Sequence, residues 1–148
     1  MTDSKQLVKV YFDFFNTVLN EDYTESLWAI VVDESKGYYA LDNIPFFVES
    51  YSYKDVVYAI FESGRLTVQD LIEESGHSTL QIILFKPEHE PELQQRLEML
   101  GCSWEGSHLP GYFSVDVPAQ IEYSLISTYL ESQAEQEVLA YREACLAH

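Results

Sequence analysis

Residues 71–85, LIEESGHSTLQIILF, divide the chain by pattern. An acidic strand end runs into a Ser75-Gly76-His77-Ser78 corner, which opens the most apolar strand of the sequence. Before this joint, apolar residues alternate at period two in short runs broken by turn residues. After it, such runs alternate with stretches in which leucines recur every three or four residues. Period two puts one face of a strand inside, and the helical period does the same for a helix. A chain divided this way is expected to be α+β, with a small SH3-like β-barrel over residues 1–74 and a ferredoxin-like βαββαβ lobe over 75–148. The corner leaves almost no linker, so the two lobes are expected to pack as one unit.

In the first half, residues 8–15 place Val8, Val10, Phe12 and Phe14 on one face. Residues 16–24 are polar and read as a turn. Residues 25–33 are apolar on both faces and read as a central strand. A Ser35-Lys36-Gly37 turn leads to a strand over 37–41. Pro45 removes a ladder donor within Asp42-Asn43-Ile44-Pro45-Phe46-Phe47, so this segment reads as a kinked connection plugging one end of the barrel. Strands are expected over 53–62 and 65–73. In the second half, strands are expected over 79–85, 102–106 and 112–117. Pro87, Pro91 and the acids beside them open a helix that Gly101 closes. Ile121, Leu125, Ile126, Tyr129 and Leu130 mark a second helical face. Residues 138–146 fit either a continued helix or a closing strand.

Charge narrows the functional classes. The 148 residues carry 25 acids and 8 bases, a formal net charge of -17. Up to Glu74 there are 14 acids and 5 bases, and from Ser75 onward 11 and 3, so the excess belongs to both halves. Phosphates and anionic lipid surfaces are repelled by such a chain, which argues against nucleic acid and membrane as partners. A cationic protein is attracted and steered. Two cysteines, Cys102 and Cys145, form no disulfide framework. The N-terminus lacks a signal-peptide pattern and no apolar run is long enough to span a bilayer, so a reducing cytoplasm is the expected location.

Several blocks occur in order: SLWA at 26–29, LDNIPFF at 41–47, DVV at 55–57, SGHST at 75–79, LGCSWEG at 100–106 and VDVP at 115–118. With these the chain resembles the bacterial family known as domain of unknown function 4265. The resemblance implies a small stand-alone cytosolic protein without agreed catalytic residues, and it transfers no site.

Three candidate chemistries follow from the residues themselves. Ser75 and His77, two apart, invite a nucleophile and base; a turn in which Gly76 takes a positive φ and the hydroxyls satisfy backbone donors is the expected reading. Cys102 with a histidine makes a second candidate, but it follows a helix end, where the dipole does not lower a thiol's pKa. No zinc-type spacing and no glycine-rich phosphate loop is present, so no metal or cofactor is expected. The third is recognition. Asp42, Tyr51, Tyr53, Asp55, Glu73, Glu74 and Glu105 offer carboxylates and tyrosines suited to a basic protein surface. The leading expectation is a non-enzymatic inhibitor of the immunity-protein type that masks a basic toxin domain. A regulatory or ligand-binding module and a hydrolase-like enzyme are the alternatives.

Overall fold

The computed structural model describes residues 6–148. It is a mixed α+β structure of two largely antiparallel sheets and two α-helices. The elements are β1 (Leu7–Asn16), β2 (Glu21–Asp33), β3 (Tyr38–Leu41), β4 (Val56–Glu62), β5 (Arg65–Glu73), β6 (Ser78–Leu84), α1 (Glu90–Met99), β7 (Ser103–Gly106), β8 (Tyr112–Val117), α2 (Tyr123–Glu135) and β9 (Leu139–Cys145).

The first five strands pair in sequence as antiparallel neighbours. β5 meets β1 again in parallel, through Val10–Leu66 and Tyr11–Thr67. The alternation in β1 is realised: Val10 and Phe12 are buried with Leu27, Ala29, Leu41, Val57 and Ala59 in one apolar cluster. β2 lies between β1 and β3, as expected of a central strand, but its second face is not covered. Only one of its faces is buried, and Trp28 and Val32 lie exposed, with the Lys9 ammonium 5.2 Å from the Trp28 ring. The expected turn over 16–24 shrinks to four residues, because β2 begins at Glu21 and pairs with Asn16. Asn16 makes the short turn possible by accepting the N–H groups of Val18 and Leu19. The fourth strand starts at Val56 rather than 53, since Lys54 takes a φ of 71° and the chain turns there.

The second sheet has the order β7-β8-β6-β9, with every neighbour antiparallel. Leu80, Ile82, Phe113 and Val115 point to one face, where Leu93 and Leu97 of α1 and Ile126 and Leu130 of α2 cover them. Residues 139–145 form a strand, which settles the ambiguous C-terminal segment. Glu137, at a φ of 59°, ends the helical path and turns the chain back along β6. Gly101 closes α1 as expected, at a φ of 94° with Ile121 Cδ1 2.6 Å from where a Cβ would sit.

The other face of this sheet is polar and backs onto the segment between β3 and β4. The Tyr112 hydroxyl donates to the Phe46 carbonyl at 2.5 Å, and Thr79 Oγ1 donates to Ser52 Oγ at 2.8 Å and the Tyr51 carbonyl at 3.1 Å. Residues 42–55 therefore bridge the two sheets. Val48 and Tyr51 join the first apolar cluster, while the neighbouring carbonyls bind the second sheet.

Candidate functional site

Four carboxylates, three of them buried and Glu105 half-buried, define the seam between the sheets. Continuing the period of Leu27 and Ala29, Glu25 points inward from β2, is buried, and accepts the N–H groups of Phe46 (2.6 Å), Phe47 (3.1 Å) and Val48 (2.9 Å). Asp55 accepts Ser52 N–H and Ser75 N–H, each at 2.9 Å, and so joins the connection to the corner. Glu105 on β7 accepts Ile44 N–H at 3.1 Å. Asp116 on β8 holds the His77 Nδ1 at 2.9 Å, with the imidazole 15% and the carboxylate 4% exposed. Fully buried charges need such partners.

At one end the seam reaches the surface. Half-buried Asp42, Tyr53, His77 and Glu105 surround Asp116 there, the Tyr53 ring standing edge-on to His77 at 5.5 Å. Burial raises the pKa of Glu105, and Asp42 and Asp116 raise it further. Burial likewise lifts the Tyr53 hydroxyl, with Asp42, Asp116 and Glu105 adding to it. Asp116 is raised by burial against the opposing pull of His77 and Lys54.

Six of the residues singled out by type thus converge: Asp42, Tyr53, Asp55, Ser75, His77 and Glu105. The blocks DNIPFF, DVV, SGHST, LGCSWEG and VDVP each supply a residue to this seam. Glu73 and Glu74 are exposed at the end of β5. Tyr51 packs its ring 4.8 Å from Phe12, against the first apolar cluster. Sequence reasoning passed over Asp116, Glu25 and Arg142. The Ser75 hydroxyl donates to the Tyr53 carbonyl at 2.7 Å and accepts His77 N–H at 3.2 Å, which is the turn geometry and leaves the imidazole without a serine partner. Gly76 has the expected positive φ, at 90°. Cys102 is buried in the apolar cluster beneath the helices, and burial pushes its thiol up to about 12, so it stays protonated at neutral pH. Among the described residues no three His, Cys, Asp or Glu side chains are grouped to hold a metal.

Glu25, Asp116 and Glu105 all carry raised pKa values with burial as the largest cause. A carboxyl raised in the fold binds protons more tightly there than in the unfolded chain. Its contribution is therefore complete below the unfolded value, about 4, and is lost as pH rises through the folded value. Asp13 and Asp33 are lowered and act in the opposite sense, but only near and below their ordinary range. Stability is expected to increase between pH 7 and about 5. Urea midpoints at the two values check this, and a lower midpoint at the acidic value would refute it.

A second feature lies on the helix layer. Residues 86–99 and 122–137 hold eight acids and two bases, nearly all exposed. Beside them a groove of about 630 Å³ is lined by Phe85, Glu131, Ala134, Glu137 and Tyr141. Lys9, Lys36 and Arg65, together with Glu34, line one concavity on the first sheet. The acids are denser on the helix layer than over the rest of the chain, which still holds 17 acids and 6 bases. No helix among the described residues is long and apolar enough to cross a membrane.

Fold and seam together define an α+β protein in which an acidic helix layer covers a sheet whose polar reverse is locked to a second sheet. The chain belongs to the family described as domain of unknown function (DUF4265), whose model matches residues 25–141. It is also similar to a solved structure described as a novel crystal structure of a hypothetical protein from Neisseria gonorrhoeae. That similarity has 24% identity, a TM-score of 0.83, and coverage of 99% of this chain and 98% of the other; at this identity it shows the fold alone. No curated protein matches the chain.

Proposed function

We propose that this is a non-enzymatic acidic binding protein that masks a cationic protein domain, in its most concrete form a cytoplasmic immunity protein neutralising a basic bacterial toxin domain. The carrying observation is the dense acid of the helix layer: eight acids against two bases, next to exposed Phe85 and Leu125 and the half-buried Tyr141. Carboxylates that steer and aromatic or apolar anchors that hold are the ingredients of a tight interface with a basic protein. We also infer that the five-strand ring, residues 1–74, is an SH3-like barrel and that residues 75–148 are a ferredoxin-like lobe. The order β7-β8-β6-β9, with both helices on one face, supports the second assignment.

The alternatives draw less support. The groove where the two sheets meet measures about 140 Å³, small beside the roughly 300–1,000 Å³ typical of small-ligand sites. An enzyme built on Ser75, His77 or Cys102 lacks an assembled nucleophile and base.

The test is co-expression with the product of the adjacent gene. Relief of that product's toxicity, and a complex that weakens with salt, are expected. The charge reversals Glu131→Lys, Glu135→Lys and Glu137→Lys, made together, are expected to slow association by about tenfold or more. A neighbour that is not toxic and forms no complex even at low salt overturns the proposal.

A further inference from the structure

We propose that the free border of β9 accepts an extended cationic segment of the partner as an added strand. This rests on the reading of a cationic protein partner and specifies how such a partner is held.

The order β7-β8-β6-β9 leaves β9 at the border of its sheet. A border strand presents a row of backbone groups able to pair with another chain. Their identity follows from the register. Phe85 N–H donates to the Val138 carbonyl at 2.8 Å. Hydrogen-bonded pairs alternate along an antiparallel ladder, so Ala140 and Arg142, opposite Ile83 and Gln81, turn their backbone groups to β6. Tyr141 and Glu143 turn theirs outward and are accessible; Leu139 turns the same way but is covered, with 1% of its surface exposed. Further along, the Ala144 carbonyl is taken by Ser50 N–H at 2.8 Å, which marks where the open stretch ends.

A groove flanks this border on each face of the sheet. On the helix side is the groove of about 630 Å³, with Phe85 in its wall and Glu131 and Glu137 among its lining. On the other side is the groove of about 140 Å³, lined by Val18, Ile83 and Ala140 among others. An added strand sends alternate side chains to opposite faces. One set would enter each groove, the arrangement by which strand addition obtains specificity while main-chain bonds supply affinity. The larger groove suits the aliphatic stem and charged head of lysine or arginine. The smaller suits a short aliphatic side chain. The occupant is therefore an extended segment alternating basic and small apolar residues. A second copy of this chain is the wrong occupant, because strand pairing would set Glu131, Glu137 and Glu143 of each copy beside the same acids of the other.

The probe is a synthetic peptide of about eight residues alternating valine and lysine, titrated into the full chain and followed by amide hydrogen exchange. The expected result is that the Tyr141 and Glu143 amides slow by about tenfold or more while those of Ala140 and Arg142, already bonded, stay unchanged. Ala140→Trp fills the space beside an exposed position of β9. It is expected to keep the melting temperature and to weaken the peptide by about tenfold. Unchanged exchange of the two outward amides with saturating peptide overturns strand addition, as does a chain that dimerises through β9 without peptide. If those amides stay unprotected while the adjacent gene's product still forms its salt-sensitive complex, strand addition fails and the cationic-partner reading stands. If that complex is also absent, the reading itself fails.

Discussion

Replacing Glu25 with alanine is expected to destabilise the fold by about 4 kcal/mol, lowering the melting temperature by roughly 10 °C. Three backbone N–H groups, of Phe46, Phe47 and Val48, end on this one side chain. Phe47 and Val48 are themselves buried, so water cannot readily replace the lost acceptor. Each orphaned buried donor costs about 1–3 kcal/mol. The gain from no longer burying a carboxylate, visible in the raised pKa of Glu25, offsets part of this. Glu25→Gln keeps one acceptor oxygen but adds an amide donor without a partner, so it should fall between wild type and alanine. Urea unfolding followed by circular dichroism measures all three. An alanine variant within about 0.5 kcal/mol of wild type would mean that the stacking of Phe47 on Tyr112, 4.8 Å between rings, holds the segment without the carboxylate.

Glu25 also shows what the sequence could have revealed. It stands two residues before Leu27 and four before Ala29, so the period that buries them buries it too. A lone acid on the inward face of a strand is a readable signal of a built acceptor site. Asp116, inside the Val-Asp-Val run of β8, carries the same signal on a strand buried along its whole length. Periodicity located most strands and both helices because apolar burial is what it detects. It failed on residues 21–24 because polar contacts hold that arm of β2. Thr24 Oγ1 donates to Asp13 at 2.6 Å, and Asp13 binds Arg65 at 2.7 Å. It failed at residues 53–55 because Asp55 spends its side chain on a turn in a stretch whose composition suits a strand. Six of the residues singled out by type lie in the seam. Their convergence was invisible, since Glu105 reaches back 61 residues to Ile44 and Asp116 39 residues to His77.

Arg142→Ala is expected to cost about 3 kcal/mol and to loosen β9 before the rest of the sheet. Its guanidinium donates from Nε to Gln81 Oε1 at 2.6 Å, from one terminal nitrogen to the Phe47 carbonyl at 2.8 Å, and from the other to Thr17 Oγ1 at 2.8 Å and Glu49 at 3.1 Å. One side chain therefore ties β9 to β6, to the turn between β1 and β2, and to the segment that Glu25 anchors. Lysine offers a single ammonium in place of this planar fork, so Arg142→Lys should recover little. Salt should matter little as well. Glu49 is half-exposed and contributes weakly, and the remaining acceptors are neutral oxygens that salt does not screen. A double-mutant cycle with Gln81→Ala should return a coupling of about 1–2 kcal/mol. Hydrogen exchange should show the β9 amides opening faster than those of β8 in the alanine variant. If they open together, Arg142 stabilises the whole fold rather than its border. The clamp would then not be what keeps the outward groups of Tyr141 and Glu143 aligned for a strand to join them.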